Sequence, residues 1–114
     1  MKKRYSRQPG YQKLSLEEAR VLMKGSTIWV LVDVRDTEEY ETWHLEGAIS
    51  IPGVEMTRLA PQMLPNKDVP VMVYCDTGGR SRVAAQILAA LGYTTVYDLG
   101  GCPCPPEFCT PDPE

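Results

Sequence analysis

Cys75 stands at the end of an apolar, β-branched run, Val69-Pro70-Val71-Met72-Val73-Tyr74, and is followed at once by Asp76-Thr77-Gly78-Gly79-Arg80-Ser81. This order of residue types suits a sulfur nucleophile. Two adjacent glycines permit positive φ, so the loop can curl its N–H groups inward around an anion. A helix starting near Arg82 would add unpaired N–H groups and the positive end of its dipole. A thiolate placed there is favoured over the thiol, which is what sulfur nucleophilicity requires. An isolated cysteine at a strand end is otherwise an inert core residue. Gly-Gly-Arg-Ser has no packing reason to follow such a residue, and the nucleophile is the reading adopted.

The elements that must hold this loop are visible on either side of it. Ser15-Leu16-Glu17-Glu18 has capping-box spacing, which predicts a helix ending at Gly25 with Leu16, Ala19, Val21, Leu22 and Met23 on its apolar side. Thr27 to Val34 is an almost unbroken β-branched and aromatic run, as expected of a strand buried on both faces. Asp36-Thr37-Glu38-Glu39 caps a brief helix through Tyr40 and Trp43, and Gly47 turns the chain into Ala48-Ile49-Ser50-Ile51. A short helix is predicted over Met56–Met63 and a buried strand over residues 69–74, with its proline at the start. Val83, Ala84, Ile87, Leu88 and Leu91 make one side of a helix over Arg82–Leu91 that Gly92 stops, and Thr94–Leu99 is the last strand. The alternation predicts a doubly wound α/β domain: a central parallel sheet of about four to five strands, helices on both faces, ligands at the carboxyl ends of the strands.

Composition narrows the function classes. A chain of 114 residues, 43% hydrophobic, fits one domain with a single core. No apolar stretch approaches the roughly 18 residues of a spanning helix, and Tyr5–Lys13 is too polar for a secretory signal's apolar region. Five basic and no acidic side chains lie in residues 1–13, leaving seven basic against fifteen acidic in the remainder. That acidic body argues against nucleic-acid binding, since phosphate neutralisation requires Lys and Arg. The domain is therefore expected over 14–101, with a flexible basic arm at 1–13 and a Cys/Pro-rich tail at 102–114. The cysteines, Cys75 alone and Cys102, Cys104 and Cys109 crowded together, do not form a disulfide framework, which favours a reducing, cytoplasmic setting. The tail thiols lack the paired spacings of a structural zinc site, and no metal is expected.

The sequence resembles the rhodanese family at Val32-Asp33-Val34-Arg35 with Glu39-Tyr40, at His44-Leu45-Glu46-Gly47-Ala48-Ile49-Ser50-Ile51-Pro52, and at Tyr74–Ser81. It does so again at Ala84, Leu88 and Gly92-Tyr93, and at Leu99-Gly100-Gly101. These pieces occur in family order over about residues 14–101. The resemblance implies a single-domain sulfurtransferase without cofactor: Cys75 takes a sulfane sulfur from a donor such as thiosulfate, becomes a persulfide, and passes the sulfur to cyanide, a thiol or an acceptor protein. It also implies that Asp76, Thr77, Gly78, Gly79, Arg80 and Ser81 hold the persulfide. In look-alike phosphatases the stretch between Cys and Arg is one residue longer, suiting a four-oxygen anion. The shorter Asp76–Gly79 stretch favours sulfur. The alternative is a non-enzymatic persulfide carrier docking to a desulfurase or acceptor protein. A rhodanese-like interaction domain without activity would be expected to lack the cysteine.

Other residues receive supporting roles. Asp33 and Arg35 are expected to orient the loop, pairing with Arg80 or with each other, and Arg80 with Arg82 to draw an anionic donor. His44 is read as structural, Trp43 as a filler, Arg58 as a solvated helix residue or an aid to donor attraction, and Met23, Met56, Met63 and Met72 as gap-fillers or surface residues. Cys102 and Cys104 are candidate resolving thiols for an oxidised or persulfidated Cys75, on the supposition that Gly100-Gly101 is a flexible link beside it. After Gly101 the chain departs from the family's hydrophobic closing segment.

Overall fold

The computed structural model describes residues 10–25 and 28–102. The elements run β1 (Gln12–Lys13), α1 (Leu16–Gly25), β2 (Val30–Asp33), α2 (Thr37–Thr42), β3 (Ala48–Ser50), a 3₁₀ turn (Gly53–Glu55), α3 (Met56–Met63), β4 (Val71–Cys75), α4 (Gly79–Ala90) and β5 (Val96–Gly101). All five strands are parallel, in the order β1-β5-β4-β2-β3. The expected α/β architecture is the one observed, with strands joined through helices that cover both faces of the sheet.

β4 lies at the centre, buried along its whole length, and its alternation divides the core in two. Val71, Val73 and Cys75 join Val32, Val34 and the α3 and α4 residues Met56, Ala60, Ala84, Ala85 and Leu88. Met72 and Tyr74 join Leu31, Leu45, Leu99 and the α1 residue Ala19 on the other side. Cys75 therefore faces α4, the helix that its own loop enters.

The two caps form as the spacing predicts. Ser15 Oγ accepts from the Glu18 N–H at 3.0 Å while Glu18 accepts from the Ser15 N–H at 2.8 Å. Glu39 likewise accepts from the Asp36 N–H at 2.9 Å. Only part of the predicted apolar side of α1 reaches the sheet: Leu16, Ala19 and Met23 pack inward, whereas Val21 and Leu22 are exposed. Spacings of three and seven residues keep the first three on one stripe, and Val21 and Leu22 fall outside it.

Several boundaries differ from expectation. Gln12–Lys13, assigned to the flexible arm, form an edge strand registered against Tyr97 and Asp98. Two polar residues carry no strand signal, and the pairing supplies it. The Thr27–Val34 strand forms over Val30–Asp33; Ile28 is exposed and Thr27 lies outside the described residues. α4 starts at Gly79, three residues ahead of Arg82, so the connection from β4 is only Asp76-Thr77-Gly78. Gly100 and Gly101 are not a flexible link. They belong to β5, where a register shift between Val73 and Tyr74 leaves Leu99 unpaired and sets Cys75 opposite Gly101.

Candidate active site

The loop is built around the Cys75 sulfur. Gly78 takes φ of +100°, a conformation that side-chain-bearing residues rarely adopt, and this turns its N–H back onto Cys75 Sγ at 2.9 Å. From the first turn of α4 the Ser81 N–H points at the same sulfur at 3.3 Å. Two backbone donors thus converge on that sulfur beside the N-terminus of α4. Cys75 itself is fully buried.

Gly101 forms the floor. A Cβ on it would lie 2.6 Å from the Asp76 carbonyl oxygen and 3.0 Å from Thr77 backbone atoms, neither of which can yield without moving the loop. A Cβ on Gly79 would meet nothing within 4 Å. Gly101→Ala is therefore expected to cost about 1–3 kcal/mol in thermal or urea denaturation and to lower sulfur transfer with it. Gly79→Ala should be neutral or mildly stabilising, because alanine favours the helix by up to about 1 kcal/mol. Equal tolerance of both substitutions would show that the loop does not rest on Gly101.

Arg80 does not pair with Asp33. Its guanidinium reaches across to α2, donating to Glu39 at 2.8 and 3.2 Å, and bonds Asp76 at 3.0 Å, with Asp36 at 3.9 Å. Hydrogen bonds from Arg80 and from the Asp36 N–H hold the Glu39 pKa down at about 2. Arg80 likewise lowers the Asp76 pKa, and Glu39 raises that of Arg80 further. A carboxylate depressed in the folded state stabilises it fully above its ordinary value near 4.5, and the contribution is lost as pH falls toward about 2. The Glu39–Arg80 clasp thus holds throughout mildly acidic conditions.

Asp33 and Arg35 pair with each other on the Tyr74 side of the sheet. Asp33 accepts from Arg35 Nε at 3.0 Å, from its terminal nitrogen at 2.7 Å and from the Tyr74 hydroxyl at 2.8 Å. Arg35 also donates to the Trp43 carbonyl at 2.6 Å and lies 3.9 Å over the Trp43 ring, so Trp43 is a clamp, not a filler. The Leu45 N–H donates to Tyr74 Oη at 2.9 Å. Burial opposes the Arg35 charge, but Asp33 outweighs it and leaves the Arg35 pKa raised; burial likewise raises that of Tyr74. These residues orient the 43–45 turn, and their hydrogen bonds run to it, to Tyr74 and to each other.

The remaining candidates fall outside the loop. His44 stacks on Tyr40 at 3.9 Å with Nδ1 2.8 Å from the Tyr40 carbonyl, in keeping with a structural role. Arg58 is bound to Glu55 on the exposed side of α3. Met56 and Met72 fill the two cores. Arg82 is exposed on α4. The Cys102 N–H donates to the Cys75 carbonyl at 2.7 Å, but its side chain lies in the opposite core with Leu31, Met72 and Tyr74. As a resolving thiol Cys102 is thus misplaced: the sheet stands between the two sulfurs. Cys104 and Cys109 lie outside the described residues. Among the described residues there is no grouping of three or more metal-ligating side chains, and no helix is long and apolar enough to cross a membrane. Sequence reasoning missed Glu39 as the Arg80 partner, Gly101 as the floor, and Asp98, a buried carboxylate whose lone polar place in an apolar strand was the available signal.

A parallel α/β sheet whose central strand ends in a cysteine, wrapped by a short glycine loop and a helix N-terminus, defines the class. The chain belongs to the rhodanese-like domain family, whose model matches residues 15–102. It is 41% identical over 70 residues to thiosulfate sulfurtransferase PspE of Escherichia coli (strain K12), covering 61% of this chain and 67% of that protein. It is 28% identical over 91 residues to thiosulfate sulfurtransferase GlpE of Tolumonas auensis, covering 80% and 83%. Among solved structures, a rhodanese with anions from E. coli matches with a TM-score of 0.60 at 40% identity, over 63% of this chain and 85% of that one. The human single-domain sulfurtransferase TSTD1 matches with a TM-score of 0.69 at 27% identity, over 79% and 89%. These relatives support a sulfurtransferase of the rhodanese type.

Proposed function

We propose that the protein transfers sulfane sulfur through a persulfide on Cys75, with thiosulfate or a similar small donor. The observation that carries this reading is the convergence of the Gly78 and Ser81 N–H groups on Cys75 Sγ. In the first step the thiolate attacks the outer sulfur of thiosulfate. A new S–S bond forms, the donor's S–S bond breaks, and sulfite leaves with the electron pair. In the second step cyanide or a thiolate attacks the outer persulfide sulfur and Cys75 leaves as thiolate, so no external oxidant or reductant is consumed. The four residues between Cys75 and Arg80, one fewer than in the look-alike phosphatases, support sulfur over a four-oxygen anion as the group held. Intact-mass spectrometry after exposure to thiosulfate, 3-mercaptopyruvate or a cysteine desulfurase tests the reading. One added sulfur mapped to Cys75, followed by turnover with cyanide, is expected. Loading without turnover would fit a carrier instead, and no loading by any donor would reject persulfide chemistry.

The charge around Arg80 sets donor preference. With Asp36, Glu39 and Asp76 clustered on it, Arg80 offers little attraction to a dianion. Asp76→Asn and Glu39→Gln are each expected to lower the thiosulfate KM by about two- to fivefold at low salt, an effect that fades as ionic strength rises. An unchanged KM at low ionic strength in both variants would show that the donor does not sense this cluster.

A further inference from the structure

Asp98 is a carboxylate with no exposure to solvent, set in β5 between Tyr97 and Leu99. Burying such a charge costs several kcal/mol unless partners offset it, so where its oxygens point is informative. Oδ1 accepts from the Ser81 hydroxyl at 2.7 Å and from the Gly100 N–H at 2.8 Å. Oδ2 faces Lys13 Nζ at 3.5 Å, a largely exposed side chain on edge strand β1.

Both Oδ1 bonds lead to the sulfur site. The Gly100 bond closes the turn across the bulge, where Gly100 takes φ of +78°, and that bulge brings Gly101 opposite Cys75 beneath the loop. The Ser81 hydroxyl, closest to Asp98 and also 3.2 Å from the Gly78 carbonyl, ties the first turn of α4 to β5, and the N–H of the same residue is aimed at Cys75 Sγ. One carboxylate thus ties the floor of the loop to the helix turn that supplies one of its two donors. Lys13 is the cation placed against Asp98. The other charged groups at the site are Arg80 and the carboxylates around it, Glu39, Asp76 and Asp36.

We propose that Asp98 is a positioning residue for the reactive sulfur: acting through Ser81 and Gly100, it holds the Ser81 N–H on Cys75, with Lys13 as its counter-charge. The inference rests on Cys75 being the nucleophile and adds to that reading how the nucleophile is kept activated.

The test is the pH profile of iodoacetamide alkylation at Cys75, read by peptide mass so that the tail cysteines do not contribute, in parallel with denaturation curves. Ser81→Ala removes the hydroxyl and leaves its N–H. Asp98→Asn keeps an acceptor oxygen, and Asp98→Ala removes it. The alkylation midpoint is expected to rise by about 0.5–1 pH unit in Ser81→Ala and Asp98→Ala, the equivalent of one weakened hydrogen bond. In Asp98→Asn it should stay or fall, because the bond is kept and a negative charge is lost. A purely structural Asp98 would shift the denaturation curves and leave the midpoint in place. An unchanged midpoint in folded Ser81→Ala overturns the proposal, as does a rise in Asp98→Asn equal to that in Asp98→Ala. If Asp98→Ala does not fold, the Ser81→Ala and Asp98→Asn pair decides. Alkylation does not depend on sulfur transfer, so wild-type loading with an unmoved Ser81→Ala midpoint rejects this inference alone, whereas absent loading rejects the reading of function.

Discussion

Cys75→Ser is expected to abolish thiosulfate:cyanide sulfur transfer, by more than about a thousandfold, while leaving the fold in place. The hydroxyl is close in shape to the thiol and can accept from the same two N–H groups that meet Sγ at 2.9 and 3.3 Å. Oxygen cannot form a persulfide and is not ionised at neutral pH, so activity is lost without a packing defect. Turnover with thiosulfate and cyanide, alongside circular dichroism and a melting curve, checks both halves. Substantial remaining activity would move the chemistry to another cysteine. Cys102 is the test case among the described residues. Its side chain lies across the sheet from Cys75, so Cys102→Ser should retain transfer.

Arg35→Ala is expected to produce the largest loss of stability, about 3–5 kcal/mol, comparable to breaking a buried ion pair from one side. Asp33 is fully buried, and Arg35 supplies its only cationic partner among the described residues. After truncation the carboxylate keeps only the Tyr74 hydroxyl and the residue 35 N–H, and the Trp43 ring loses the guanidinium stacked on it. With total stabilities of about 5–15 kcal/mol usual for domains, such a loss leaves little margin. Arg35→Lys should fall between the two, since an ammonium cannot make the forked contact or stack on the ring. Urea unfolding measures all three proteins. A loss under about 1 kcal/mol for Arg35→Ala would mean that Tyr74 and the backbone suffice for Asp33.

The α/β alternation, both capping boxes, the Met56–Met63 helix and the place of Cys75 at the end of a buried strand were readable from residue order. Each depends on a local regularity: a helical or strand period, or a side chain reaching a backbone N–H three residues away. Pairs of distant groups leave no such mark. Glu39 and Arg80 are 41 positions apart, as are Asp33 and Tyr74, and nothing in the neighbourhood of either member names the other. Residue order leaves open whether Asp33 and Arg35 pair with Arg80 or with each other; the fold pairs them with each other and bonds Arg80 to Glu39 and Asp76. The two-residue β1 was silent for a similar reason, being defined by its partner in β5.

The tail shows most sharply how one residue of register reverses a conclusion. Side chains alternate between the two faces of a sheet, and paired residues in adjacent parallel strands point the same way. Had β5 run on without a bulge, Cys75 would have met Gly100, and Cys102, two residues further, would have faced the same side. With Leu99 extra, Cys75 meets Gly101 and Cys102 faces away. Local residue types could announce a reactive cysteine and the strand and helix that hold it. Whether a second thiol can reach it depends on the parity of the register, set by a turn that closes when the Gly100 N–H finds the buried Asp98 carboxylate.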